Sequence, residues 1–216
     1  MEYHECLMLH KKTLKETSEN TAPNNSNKPF MTYNNRIVIC YDDVVKDYCR
    51  RRHINQFKSN DALVFDFEKV DTNDDINFLF IEFKSGDINS DECEKLHLKI
   101  IDSNKILKQI INEVDDNYLL HKVNYILVYD LSRQTYRKHL SQFKEEPIFN
   151  SMSKAFLVEQ FSALSKKNTH EKIFPYKAAL GLDKYEGLIL NAVKSIEVNR
   201  FNYYLEKGYI TEDMFS

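Results

Sequence analysis

Two short runs constrain this chain more than anything else in it. Residues 61–67 (DALVFDF) and 76–84 (INFLFIEFK) both alternate, and the polar stretch EKVDTNDD lies between them. Two alternating runs joined by a polar, turn-forming segment predict an antiparallel hairpin. Residues i, i+2 and i+4 of a strand share a face. Asp61, Leu63, Phe65 and Phe67 therefore share one face, and Ile76, Phe78, Phe80, Glu82 and Lys84 share a face of the partner strand. With Asp61 opposite Glu82, Leu63 pairs with Phe80, Phe65 with Phe78 and Phe67 with Ile76. This register puts Asp61, Glu82 and Lys84 at one end of an otherwise apolar stripe.

The flanking pattern predicts the rest of the sheet. Leu96, Ile100, Leu107, Ile110, Ile111 and Val114 recur at helical spacing. Asn89 or Ser90 is the expected N-cap, with Asp91, Glu92 and Glu94 in the first turn, where the helix dipole favours acids. Residues 124–129 (NYILVY) form a compact apolar strand. A strand, a long helix and a further strand imply a crossover in a mixed sheet. Upstream, the reading is a short helix over 1–16, a polar loop over 17–35, a strand over 37–41 and a helix over 42–53. Downstream it is a helix over 154–167, a strand over 187–193 and a helix over 197–207 with Gly208 as C-cap. The expected architecture is a single α/β domain over 1–216, with a mixed central sheet flanked by helices. Its core spans 36–130, and 131–216 forms a mostly helical extension.

Composition sets outer bounds. A chain of 216 residues suits one large domain. The net charge of −3 excludes a histone-like polycation, so any nucleic-acid contact must be local. Cys6, Cys40, Cys49 and Cys93 show no C-x-x-C spacing and read as reduced thiols of a cytoplasmic protein. The start, MEYHECLMLHKK, lacks a basic-then-apolar signal pattern. The longest apolar runs hold about five residues, whereas a bilayer span needs ~20, so no membrane crossing is expected. With four glycines there is no P-loop, G-x-G-x-x-G or G-x-S-x-G motif. His4-Glu5 and His170-Glu171 both lack the second histidine of H-E-x-x-H.

The chemistry concentrates in the hairpin. Two carboxylates and an ammonium on a core-facing stripe must be paired, hydrated or bound to metal. Paired carboxylates suit a hard divalent cation such as Mg²⁺, which prefers oxygen ligands and retains some of its waters. A neighbouring lysine orients or helps deprotonate a metal-bound water. Asp61, Glu82, Lys84 and a divalent ion are thus the parts for hydrolysing a phosphodiester. Asp66 competes as a ligand, but its phase sets it with Ala62, Val64 and Glu68 on the other face. Arg50, Arg51 and Arg52 form a basic run suited to phosphates, and equally suited to a solvated helix C-terminus.

Asn60-Asp61-Ala-Leu-Val-Phe-Asp66, followed by Phe78-Leu-Phe-Ile-Glu82-Phe-Lys84, resembles the core of the PD-(D/E)xK nuclease superfamily. The resemblance covers roughly residues 60–130 and includes the helix and strand that follow. It implies a restriction-endonuclease-like fold and metal-dependent cleavage of DNA with Mg²⁺ or Mn²⁺. Asp61 and Glu82 would be metal ligands and Lys84 the catalytic lysine. Asn60 stands where the family often has proline. The additional acid that many members carry on the first core helix would be Glu5, with Glu2 second. DNA is the expected partner, and cutting both strands points to a homodimer. A nuclease-like fold that no longer cuts and serves as a binding module is the alternative.

Overall fold

The computed structural model describes residues 3–19, 30–65, 76–86, 88–112, 115–130 and 180–208. Six strands form one mixed sheet in the order β1-β2-β3-β4-β5-β6. The strands are β1 (Lys11–Thr13), β2 (Ile37–Cys40), β3 (Ala62–Val64), β4 (Phe78–Lys84), β5 (Val123–Tyr129) and β6 (Ala192–Glu197). Successive strands from β1 to β4 pair antiparallel, while β4, β5 and β6 are mutually parallel.

The predicted hairpin forms in the predicted register. Leu63 faces Phe80, flanked by Ala62–Ile81 and Val64–Leu79. Strand β3 is shorter than expected and ends at Val64. Phe65 still meets Phe78, with ring centroids 5.7 Å apart.

Helices cover both faces of the sheet. Helix α3 (Tyr41–Arg52) and helix α4 (Ser90–Ile110) lie on the face of Leu63, Phe80, Tyr125 and Leu127. Helix α6 (Val198–Lys207) covers the face of Val64, Ile81, Phe83 and Val128. Burial on both faces explains why β4 reads as a nearly unbroken apolar run. Helix α4 starts at the expected cap, where the Asn89 side chain accepts the Glu92 N–H at 2.9 Å. A short helix α5 (Asp116–Leu120) then leads into β5, completing the parallel crossover.

Two expectations change. The helix expected over 1–16 is instead α1 (Tyr3–Met8), the edge strand β1 and α2 (Leu14–Thr17). The break has a local cause. Thr13 and Glu16 form a capping box, with Thr13 N donating to Glu16 Oε2 at 2.7 Å and Glu16 N to Thr13 Oγ1 at 3.2 Å. The strand expected over 187–193 begins at Ala192. Gly187 has φ 74°, and the amides of Leu188, Ile189 and Leu190 all donate to the Tyr185 carbonyl. That turn is incompatible with a strand. Of the extension over 131–216, residues 180–208 are described, and there β6 joins the central sheet beside β5. Helix α6 and its Gly208 cap (φ 80°) lie where the sequence places them. The helix expected over 154–167 falls outside the described residues.

Candidate functional site

Strand pairing alone would place Asp61 beside Glu82, and five further contacts fix it there. The segment before β3 docks on α4. Lys58 N donates to Asp102 Oδ2 at 3.0 Å, and Asn60 N donates to Ser103 Oγ at 2.9 Å. The Ser59 hydroxyl donates to Asp42 at the start of α3. Tyr41 N donates to the Asp61 carbonyl at 3.2 Å, and the Tyr41 hydroxyl donates to the Ser103 carbonyl at 2.9 Å. Asp61 is therefore held between the N-terminus of α3 and the middle of α4.

Four charged side chains converge at this point. Asp61 Oδ2 accepts the Phe83 N–H at 2.7 Å. Lys99, on α4, reaches Asp61 Oδ1 at 3.2 Å and the two Glu82 oxygens at 2.7 and 2.8 Å. Lys84 lies 3.3 Å from Glu82 Oε1 and 3.0 Å from Glu92 Oε2. Glu82 is completely buried, whereas Asp61 keeps 19% of its side chain exposed and Lys84 and Lys99 16% each. Asp61, Lys84 and Lys99 thus keep partial contact with solvent around the fully buried Glu82.

The electrostatics follow from this crowding. Burial, reinforced by Glu82, raises the Asp61 carboxyl to about 7 against the opposing pull of Lys99 and the Phe83 amide. Burial works to lower Lys99, but Glu82 and Asp61 outweigh it and raise the ammonium above its ordinary value. Burial also opposes the charge on Lys84, which Glu82 and Glu92 nonetheless raise. Glu92 resists burial too, and hydrogen bonds from Lys95 and Lys84 bring it down to about 2. Both lysines are therefore cations at neutral pH, so Lys84 is suited to orienting a water rather than deprotonating it.

No protein-family model, curated protein or solved structure matches this chain. The site must be read from its own geometry.

The structure brings together Asp61, Glu82 and Lys84, as the sequence predicts. It adds Lys99, Glu92 and, further out, Asp42, whose charge acts on both Asp61 and Lys99. Asp66 and Glu2 lie outside the described residues, as does the side chain of Glu5. Among the described residues, no three His, Cys, Asp or Glu side chains gather closely enough to hold a metal ion. The acidic donor set is thus the Asp61–Glu82 pair.

The Arg50–Arg52 run is placed elsewhere. Asp42 lies at the site and Arg52 ten residues along α3, about 15 Å away at helical rise. Arg50 and Arg51 both pair with the buried Asp47, at 2.5 and 2.6 Å, and Arg52 lies over the Tyr48 ring at 5.4 Å. These contacts match the reading of a helix C-terminus complementing its dipole. No helix among the described residues is long and apolar enough to cross a membrane.

Proposed function

We propose that this protein is a divalent-metal-dependent nuclease that hydrolyses phosphodiester bonds in DNA. One observation carries the reading: Asp61, just before β3, and Glu82, on the adjacent β4, converge on a single cation beside Lys84, with Asp61 and both lysines partly exposed. The order of β3, β4, the α4 crossover and parallel β5 supports it, because that order resembles the PD-(D/E)xK core.

The donor set fits Mg²⁺ or Mn²⁺, which accept one or two carboxylates and fill their remaining positions with water and phosphate. Asp61 and Glu82 would be the ligands. An ion bound there would lower the pKa of its water and screen charge developing on the phosphate. Lys84 would hold the attacking water by donation, since its ammonium is retained by Glu82 and fixed from the far side by Glu92. Phe83 N–H holds Asp61 in the orientation this requires. Cutting both strands of a duplex calls for two such sites, which favours a second copy of this chain as partner.

The test is incubation with plasmid and single-stranded DNA in Mg²⁺, Mn²⁺ or EDTA. Metal-dependent cleavage is expected, and Glu82→Ala and Lys84→Ala should each remove it. Cleavage undiminished in Glu82→Ala would sink the assignment. A second reading has its own observation. The Lys99 ammonium already lies between the two carboxylates, as in a nuclease-like module that binds without cutting. That reading predicts neither cleavage nor heat on titration with Mn²⁺.

A further inference from the structure

We propose that Lys99 is a tethered counter-ion that keeps the metal position closed, and that a divalent ion binds by displacing its ammonium from between Asp61 and Glu82. This rests on the metal-binding reading above and assigns α4 a part in it.

The argument starts from the four carboxylate oxygens. Asp61 Oδ2 is engaged by the Phe83 N–H, and Asp61 Oδ1 by Lys99. Glu82 Oε1 meets both Lys99 and Lys84, and Glu82 Oε2 meets Lys99. Every oxygen of the pair therefore has a donor, and Lys99 alone touches three of the four. A cation bridging the two acids needs the same lone pairs. Displacing the Phe83 amide would disturb the backbone between β3 and β4, and displacing Lys84 would free no oxygen, since Lys99 also holds Glu82 Oε1. Displacing Lys99 frees both acids at once.

Charge leads to the same residue. Asp61, Glu82 and Glu92 face Lys84 and Lys99, with Lys95 on the outer side of Glu92. Each of these acids already has an ammonium partner, with Asp42 further out. A divalent ion added beside Lys99 would set two cations a few ångströms apart at a partly buried position, where weak screening makes their repulsion unfavourable. A lysine on a flexible four-carbon stem relieves this by swinging out, which a backbone donor cannot do. The charge of Asp42 also acts on Lys99. Lys99 is thus a positioning residue, holding the acids together when no ion is bound and opposing the ion's entry.

Calorimetric titration with Mn²⁺ tests this on the full chain, comparing wild type with Lys99→Gln and Glu82→Gln. Lys99→Gln is expected to bind Mn²⁺ at least about tenfold more tightly than wild type, and Glu82→Gln to lose binding. Affinity in Lys99→Gln that equals or falls below wild type overturns the inference. If wild type still binds through Glu82 in that case, the metal reading survives alone. Absence of binding in both wild type and Lys99→Gln overturns both. Should Lys99→Gln not fold, the wild-type protein answers by acylation of its lysines with an N-hydroxysuccinimide ester, mapped by mass spectrometry. Saturating Mn²⁺ is expected to raise labelling at Lys99, and unchanged protection there defeats the displacement.

Discussion

Asp61 and Glu82 contact the same ammonium from unlike surroundings, and the difference has a pH signature. Burial and the neighbouring Glu82 place the Asp61 carboxyl at about 7, against an ordinary value of 3.8. A carboxyl raised on folding takes up a proton between those two values. Its contribution to stability therefore declines as pH rises from about 4 to about 7. Metal ligation needs the carboxylate, so Mn²⁺ affinity should strengthen as pH rises through about 7 and level off above it. Carbon-detected NMR titration of the Asp61 carboxyl reads the midpoint directly; a midpoint below 5 would mean that Lys99 and the Phe83 amide outweigh burial. Two buried tyrosines offer a second contrast. Tyr41 donates to the Ser103 carbonyl, while the Tyr125 hydroxyl has no hydrogen-bond partner among the described residues although it lies in the field of Glu82 and Asp61. Tyr41→Phe should cost about 1 kcal/mol in urea unfolding, and Tyr125→Phe should be neutral or stabilising. At this scale the sequence was partly legible. Asp61, Glu82 and Lys84 followed from the two-residue period of a strand. Lys99 did not, because its place depends on how α4 docks across the sheet. The local signal is that Lys99 adjoins the buried stripe of Leu96, Ile100 and Ser103.

Among the elements, α4 organises the site more than any strand does. It supplies Lys99 and Glu92, and its Asp102 and Ser103 hold the segment that carries Asp61. Ser103 is fully buried, and its hydroxyl accepts the amide of the equally buried Asn60. Ser103→Ala would leave that N–H unsatisfied and is expected to cost about 1–3 kcal/mol. It should also weaken Mn²⁺ binding, since Asp61 is the next residue. Denaturant unfolding and calorimetry on the same variant check both effects; lost stability with unchanged metal affinity would show that Asp61 is held by strand pairing alone. Helix α4 itself was readable, because a long periodic run with an Asn cap and acids in its first turn admits one interpretation. The N-terminal segment was less so. Cys6, Leu7, Leu9 and Leu14 suggest one helix, and the Thr-x-x-Glu signature at Thr13–Glu16 that divides it is only four residues long. The late start of β6 likewise turns on the backbone of Gly187, where an apolar run continues through a turn.

For the whole molecule, the site depends on a layer that the local pattern around it does not announce. Glu82 and Phe83 are consecutive in β4 and point to opposite faces. Glu82 faces α4, and Phe83 meets Phe201 of α6 edge to face, with ring centroids 5.8 Å apart. Phe201 is fully buried, and Val198 and Leu205 complete the contact. The segment 180–208 is therefore part of the sheet's support, since it supplies both the strand beside β5 and the helix over the second face. The sequence places α6 but leaves it either packing on the sheet or mediating dimerisation, because a helix's stripe shows that it packs without showing on what. Phe201→Ala should destabilise the protein by about 3–5 kcal/mol, the range for truncating a buried aromatic ring. The urea midpoint should fall with an unchanged slope. Below the shifted transition, Glu82 and Lys99 lie on the far side of the sheet from the cavity, so Mn²⁺ affinity in the folded variant should stay near the wild-type value. A full loss of affinity with the fold intact would show that the two faces of β4 are coupled through the strand backbone rather than independently packed.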